Sequence, residues 1–207
     1  MHCIPLNLLK FKPKTITNND RDSIETPSTS LALRAQKKIL GKIGNRVVVK
    51  HFVNDTTLRI FDNLYKILKE FYNKNTAEKT INNILKIAIK LSALMREEHL
   101  NSDQKFVYNE FQKKLKSVIL TVISFTVVDY SYDRIFLISQ LEKVRELLAT
   151  VVATTLSEKS VKKVDRIFDC LVEPRLLDEM FVKKGQFHDQ LVQIVHGLEN
   201  IIDGKDL

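Results

Sequence analysis

The chain has 207 residues, 33 Lys and Arg against 25 Asp and Glu, a formal charge of +8, 44% hydrophobic residues, two Cys and no Trp. That size and apolar fraction suit one globular domain with a tail and exclude a chain that is disordered throughout. Cys3 and Cys170 are too few and too far apart for a disulfide framework, which points to a reducing, cytoplasmic setting.

Residues 1–29 read as a disordered N-terminal extension, broken by Pro5, Pro13 and Pro27 and rich in Asn, Ser and Thr after Thr15. The apolar piece Cys3–Phe11 lacks the basic start and unbroken core of a signal peptide. Ser30 then caps a helix over 31–43. Leu33, Ile39, Leu40 and Ile43 fall on one face and Arg34, Lys37, Lys38 and Lys42 on the other, which is a basic amphipathic helix.

Asn54 or Asp55 opens a second helix to about Asn73, with apolar Phe61, Leu64, Leu68 and Phe71 at helical spacing. Thr76 is expected to cap a third, in which Ile81, Ile84, Leu85, Ala88, Leu91 and Met95 oppose Lys79, Lys86 and Lys90. Ser102 with Asp103 starts a fourth, to about Phe125. Its second half, Val118–Val128, is apolar nearly all round and β-branched, so a strand competes there. The spacing of Phe111, Leu115, Val118 and Val122 favours helix. Ser131 and Asp133 begin a fifth helix through Leu156. Ser157 caps a sixth over 158–171, Pro174 opens a short one to about Val182, and a last runs over 187–202, ended by Gly204.

Between Asn45 and Lys184 there is no Gly, and between Ser28 and Glu173 no Pro. The Gly-rich phosphate loops and the Gly-x-Ser-x-Gly elbow are therefore excluded over that stretch. Helices joined by short loops run antiparallel to their neighbours, so the fold expected is all-α. It is a bundle of about six to seven helices around a central apolar core or cavity, preceded by the basic helix. The domains expected are the extension at 1–29, the basic helix and linker at 30–50, and the bundle at 51–207.

The charge is unevenly placed. Arg34, Lys37, Lys38, Lys42, Arg46 and Lys50 fall within 31–51 with no acid among them, which leaves the remainder nearly neutral. A local basic block points to an anionic partner. Nucleic acid is not expected, because aromatic and groove-reading elements are missing. An anionic membrane surface fits the amphipathic partition; at about 1 kcal/mol per basic residue, binding there is peripheral and reversible.

Catalytic chemistry does not assemble. His188 and His196 sit eight positions apart, too far to share a metal. Cys170 reads as a small core residue. Asp165 and Asp169 share a helical face but read as ion-paired with Lys162, Lys163 and Arg166. Neither an enzyme nor a metal or cofactor is expected. The wide apolar faces fit either a dry core or walls around a lipid-accepting cavity, since both demand inward apolar surfaces.

Several runs together carry a family resemblance: SLALRAQKKIL at 30–40, FVNDTTLRIFDNLYKI at 52–67, ILKIAIKLSALMRE at 84–97, KLKSVILTVISFTVVDYSYD at 114–133, LSEKSVKKVDRIFD at 156–169 and GLENIIDGKDL at 197–207. In order and register, residues 30–207 resemble the tumour necrosis factor-induced protein eight (TIPE) family. The resemblance implies an inverted death-effector-like bundle with a large apolar cavity for lipid tails and phosphoinositide headgroups at a basic mouth. It further implies roles in apoptosis, immune and cell-survival signalling, with small GTPases or apoptotic signalling proteins as partners. Phospholipid or phosphoinositide would be the ligand, and the chain a monomer.

By position, Lys37, Lys38, Lys42 and Arg46 match the family's basic helix and turn, with Arg34 and Lys50 in the same block, and Arg96 matches a basic residue at the mouth. Gln112 stands where relatives have Arg, with Lys114 and Lys116 close by. The cavity walls implied are Phe61, Leu64, Leu68, Ile84, Ala88, Leu91, Phe111, Leu115, Val118, Val122, Leu141 and Leu148. The competing reading is a death-effector-like adaptor with a solid core and no lipid.

Overall fold

The computed structural model describes residues 55–96 and 100–204, which form seven helices and, among the described residues, no strand. They are α1 (Asp55–Phe71), α2 (Lys74–Arg96), α3 (Ser102–Val127), α4 (Arg134–Thr155), α5 (Glu158–Leu171), α6 (Pro174–Phe181) and α7 (His188–Ile202). The expected extension and basic helix lie outside the described residues.

Helical spacing prevails over β-propensity in the Val118–Val128 run, which continues α3 to Val127. Buried Phe111 and Val118 anchor it seven positions apart, on one side of the helix. The caps differ more. Asn73, not Thr76, starts α2: its Oδ1 accepts the Thr76 amide at 2.9 Å. α3 starts at Ser102 as expected, and Asn101 before it caps the helix through a reciprocal box with Gln104, with bonds of 2.9 and 3.0 Å. Asp133 caps α4 by accepting the Phe136 amide at 2.9 Å. Ser157 makes no capping bond at the start of α5, its hydroxyl instead lying 3.3 Å from that of Ser160.

The helices pack as a closed ring. α1 lies against α2, α2 against α5, α5 against α4, α4 against α3, α3 against α7, and α7 returns to α1. Short α6 ties α4 to α7. Apolar side chains inside the ring fall into two clusters. One gathers α3, α4 and α5 with Ile87 and Leu91 of α2 and Leu177 of α6. The other gathers α1, α6 and α7 with Ala77, Ile81, Leu85 and Ile89 of α2. α2 serves both because its apolar residues cover more than one stripe.

Two contacts set the corners. A Cβ on Gly197 of α7 would come 2.7 Å from Ile60 Cγ1 of α1, so only a glycine lets these helices approach so closely. At the α3–α4 turn, Tyr132 stacks on Phe181 with centroids 4.6 Å apart and donates its hydroxyl to Asp178 at 3.0 Å, while Arg134 pairs with the same carboxylate. Burial and the Asp178 bond push the Tyr132 hydroxyl well above its ordinary pKa. No described helix is long and apolar enough to cross a membrane.

Candidate functional site

Two surfaces carry chemistry that could meet an anionic lipid. The first is a groove of about 560 Å³ between α3 and α4, open along one side. Leu120, Phe125 and Phe136 supply its apolar lining, Ser117, Thr121 and Ser124 a polar stripe, and Lys113 and Lys116 its cations. Leu120 and Phe136 are exposed there, and Ile135 and Val127 extend the apolar surface toward the turn. Lys113 pairs with Glu110 at 2.7 Å.

The cationic residues expected at the mouth are placed unevenly. Lys116 lines the groove. Lys114 donates to Gln140 Oε1 of α4, a buried side chain, so it is tied into the α3–α4 contact. Gln112 is half-buried near Tyr108, whose hydroxyl burial holds above its ordinary pKa. Arg96 is the last residue of α2, its side chain outside the described set. Arg34, Lys37, Lys38, Lys42, Arg46 and Lys50 lie outside the described residues altogether.

Most of the expected wall residues do face the interior, but they do not share one cluster. Leu91, Phe111, Val118 and Leu148 are buried in the α3–α4–α5 cluster, with Ile84, Val122 and Leu141 packed against it. Leu68 is buried in the other cluster, with Phe61 and Leu64 packed beside it. Ala88 is half-buried and belongs to neither, and Leu115 is exposed on α3. The half-buried members, Phe61, Leu64, Ile84, Ala88, Val122 and Leu141, keep some apolar surface uncovered on the ring.

The second surface escaped the sequence reading. Asp165 and Asp169 do not pair with Lys162, Lys163 or Arg166. Both reach across to Arg145 of α4, each at 3.1 Å, and Glu142 joins that guanidinium at 3.7 Å. Arg145 collects them because its half-buried fork can serve several acceptors at once, which a flexible lysine cannot. The opposite side of α5 is left cationic. Cys170 is half-buried and accepts a hydrogen bond from the Thr80 hydroxyl at 3.4 Å, and its carbonyl accepts from Tyr72 at 3.0 Å. Burial, with Cys170 and Glu173 nearby, pushes Tyr72 up to about 12. Among the described residues no group of His, Cys, Asp and Glu could hold a metal.

The family model for tumor necrosis factor alpha-induced protein 8-like proteins matches residues 26–205, a span that takes in the basic segment before α1. Tumor necrosis factor alpha-induced protein 8 of Gallus gallus is 36% identical over 177 residues, covering 85% of this chain and 94% of its own length. The Homo sapiens protein of the same name is 34% identical over 181 residues, covering 87% and 91%. The 8-like protein 2 B of Danio rerio is 32% identical over 181 residues, covering 87% and 97%.

Proposed function

This chain belongs to the tumor necrosis factor alpha-induced protein 8-like family, and from that premise we propose that it is a non-enzymatic regulator that binds phospholipid, phosphoinositide above all, and carries lipid signals into apoptosis and immune or cell-survival pathways. The acyl chains lie against the apolar surface of the helix ring, and the headgroup meets the basic residues. The observation that carries the reading is the α3–α4 groove, where the apolar side chains of Leu120, Phe125 and Phe136 adjoin Lys116 in a volume of about 560 Å³. The groove is shallow and largely open, and its apolar-plus-cationic lining suits an anionic lipid lying along it. The basic block at 31–51 supplies a second, longer-range attraction to an anionic bilayer. Association through these basic residues is peripheral and reversible.

An adaptor with a solid core draws support from the deep burial of both apolar clusters, in which Leu68, Val152, Val164 and Leu176 are wholly covered. Native mass spectrometry of gently purified protein separates the two readings. A bound lipid mass, or uptake of added phosphoinositide, is expected; a clean apo mass with no uptake would leave the adaptor standing. In vesicle pull-down, phosphoinositide-containing vesicles should retain the protein, and Lys37→Glu with Lys38→Glu should abolish retention. Equal retention on neutral vesicles would sink the electrostatic part.

A further inference from the structure

The face formed by α2 and α5 carries five cations that no described carboxylate balances. Lys86 and Lys90 stand one turn apart on α2, and Lys159, Lys163 and Arg166 occupy successive turns of α5, which packs against it. The two helices hold four carboxylates between them, and each is committed elsewhere. Glu78 pairs with Lys74, Glu158 with Lys162, and Asp165 and Asp169 with Arg145. Lys90 is also held in place. Lys90 Nζ lies 3.3 Å from the hydroxyl of Ser160, a residue with 0% exposure. Burial, then Lys90, Lys86, Lys159 and Arg166, lower the Lys163 ammonium below its ordinary pKa, so each of the four sits close enough to Lys163 to repel it. Lys159 adds to this from the first turn of α5, where the helix dipole disfavours a cation.

An arrangement that costs stability in the free protein is relieved by an anion. None of the exposed large hydrophobic residues lies on α2 or α5, so the face offers no apolar anchor. Protein interfaces rely on such anchors and are depleted in lysine, which argues against a protein partner. Aromatic stacking platforms for single-stranded nucleic acid are missing as well. Phosphate groups suit what remains, because a lysine serves as a point charge for phosphate without needing a planar fork. One phosphate monoester carries about −1.5 to −2, so two or three of them neutralise the five cations.

We propose that the α2–α5 face, through Lys86, Lys90, Lys159, Lys163 and Arg166, is a binding site for a multiply phosphorylated ligand, separate from the α3–α4 groove and from the basic segment before α1. The chemistry is shared by a phosphoinositide headgroup and a soluble inositol polyphosphate. The face would bind either one whether or not the helix ring takes acyl chains.

The test is calorimetric titration of the full chain with inositol hexakisphosphate at physiological salt, beside vesicles with and without phosphatidylinositol bisphosphate. Lys86→Gln with Lys163→Gln should weaken the soluble probe roughly tenfold or more, the effect of losing one to two charge-assisted contacts. Its thermal midpoint should stay at or above that of the parent, which excludes misfolding. Lys37→Glu with Lys38→Glu should lose vesicles yet keep the soluble probe, so failure of the lipid reading and failure of this one are told apart. Loss of both probe and vesicles in the α2–α5 variant assigns the face to the headgroup; loss of the probe alone assigns it to a soluble phosphate. Unchanged probe affinity in that variant, no probe binding by the parent, or tighter binding of a single-stranded RNA at the same salt would each overturn the proposal.

Discussion

Helix α5 has two charged faces that its sequence does not distinguish. Toward α4, Asp165 and Asp169 meet Arg145, and with Glu142 they make a closed network. Toward α2, Lys159, Lys163 and Arg166 meet Lys86 and Lys90 with no described carboxylate among them. One face is ion-paired around a single arginine and the other is bare, although the helix mixes acids and bases along its length. A body close to neutral in total is thus strongly polarised locally. The polarity arises because one arginine on a third helix draws the acids away from the lysines beside them.

Removing that arginine tests the comparison hardest. Arg145→Met should lower stability by about 1–2 kcal/mol, since it dissolves a partly buried, hydrogen-bonded network and leaves three carboxylates without their partner. Chemical denaturation measures it. The same variant frees Asp165 and Asp169 to fold back on Lys162 and Arg166, within reach on their own helix. Affinity of the α2–α5 face for inositol hexakisphosphate should therefore fall a few-fold, although no lysine has been touched. Arg145→Lys should restore only part of the stability, because one ammonium cannot serve three carboxylates in a fork. A variant as stable as the parent would show that the network contributes nothing.

The difference between the two faces also marks what the sequence could reveal. Helix existence was legible throughout the described span, including α3 through its β-branched run, because each helix repeats its apolar residues at three and four. Lys162 pairs with Glu158 four positions before it rather than with the expected Asp165 and Asp169, an alternative local spacing alone could not rank. The caps were less legible. Asn73 won over Thr76 because a cap depends on where the backbone leaves the helix, which several adjacent polar residues can satisfy equally. The pairing of Lys86 and Lys90 with Lys163 was beyond reach altogether. It needs α2 and α5 to be neighbours although two helices separate them in the chain, and periodicity carries no information about ring order. The division of the wall residues between two clusters, with Phe61 and Leu64 in one and Val122 and Leu141 in the other, was hidden for the same reason.

A smaller effect sharpens the bare face. Lys163→Gln removes a charge that faces only other cations, so it should raise stability by about 0.5 kcal/mol, the scale of one like-charge pair on a helix surface. Lys162→Gln, which deletes the partner of Glu158 at 3.0 Å, should show no such gain. The midpoint difference between parent and Lys163→Gln should shrink as salt is added, because repulsion between exposed charges is screened. A Lys163→Gln protein less stable than its parent would mean that the side chain's packing outweighs its charge.

The smallest effect is in pH, and its sign is fixed by the direction of the Lys163 shift. The folded state holds this ammonium below its usual 10.5, first through burial and then through Lys90, Lys86, Lys159 and Arg166. Between the lowered folded value and 10.5 the unfolded chain binds more protons than the folded one, so this residue makes stability rise with pH across that window. Below the window Lys163 is charged in both states and its penalty is constant. Above it Lys163 is neutral in both and the penalty is gone. The gain from Lys163→Gln should accordingly be level at neutral pH and narrow as pH climbs toward 10.5. Parallel denaturation curves of parent and variant at rising pH read the difference directly. A gap that widened with pH would require an unseen carboxylate at the face, and the bare face of α5 would then resemble the ion-paired one.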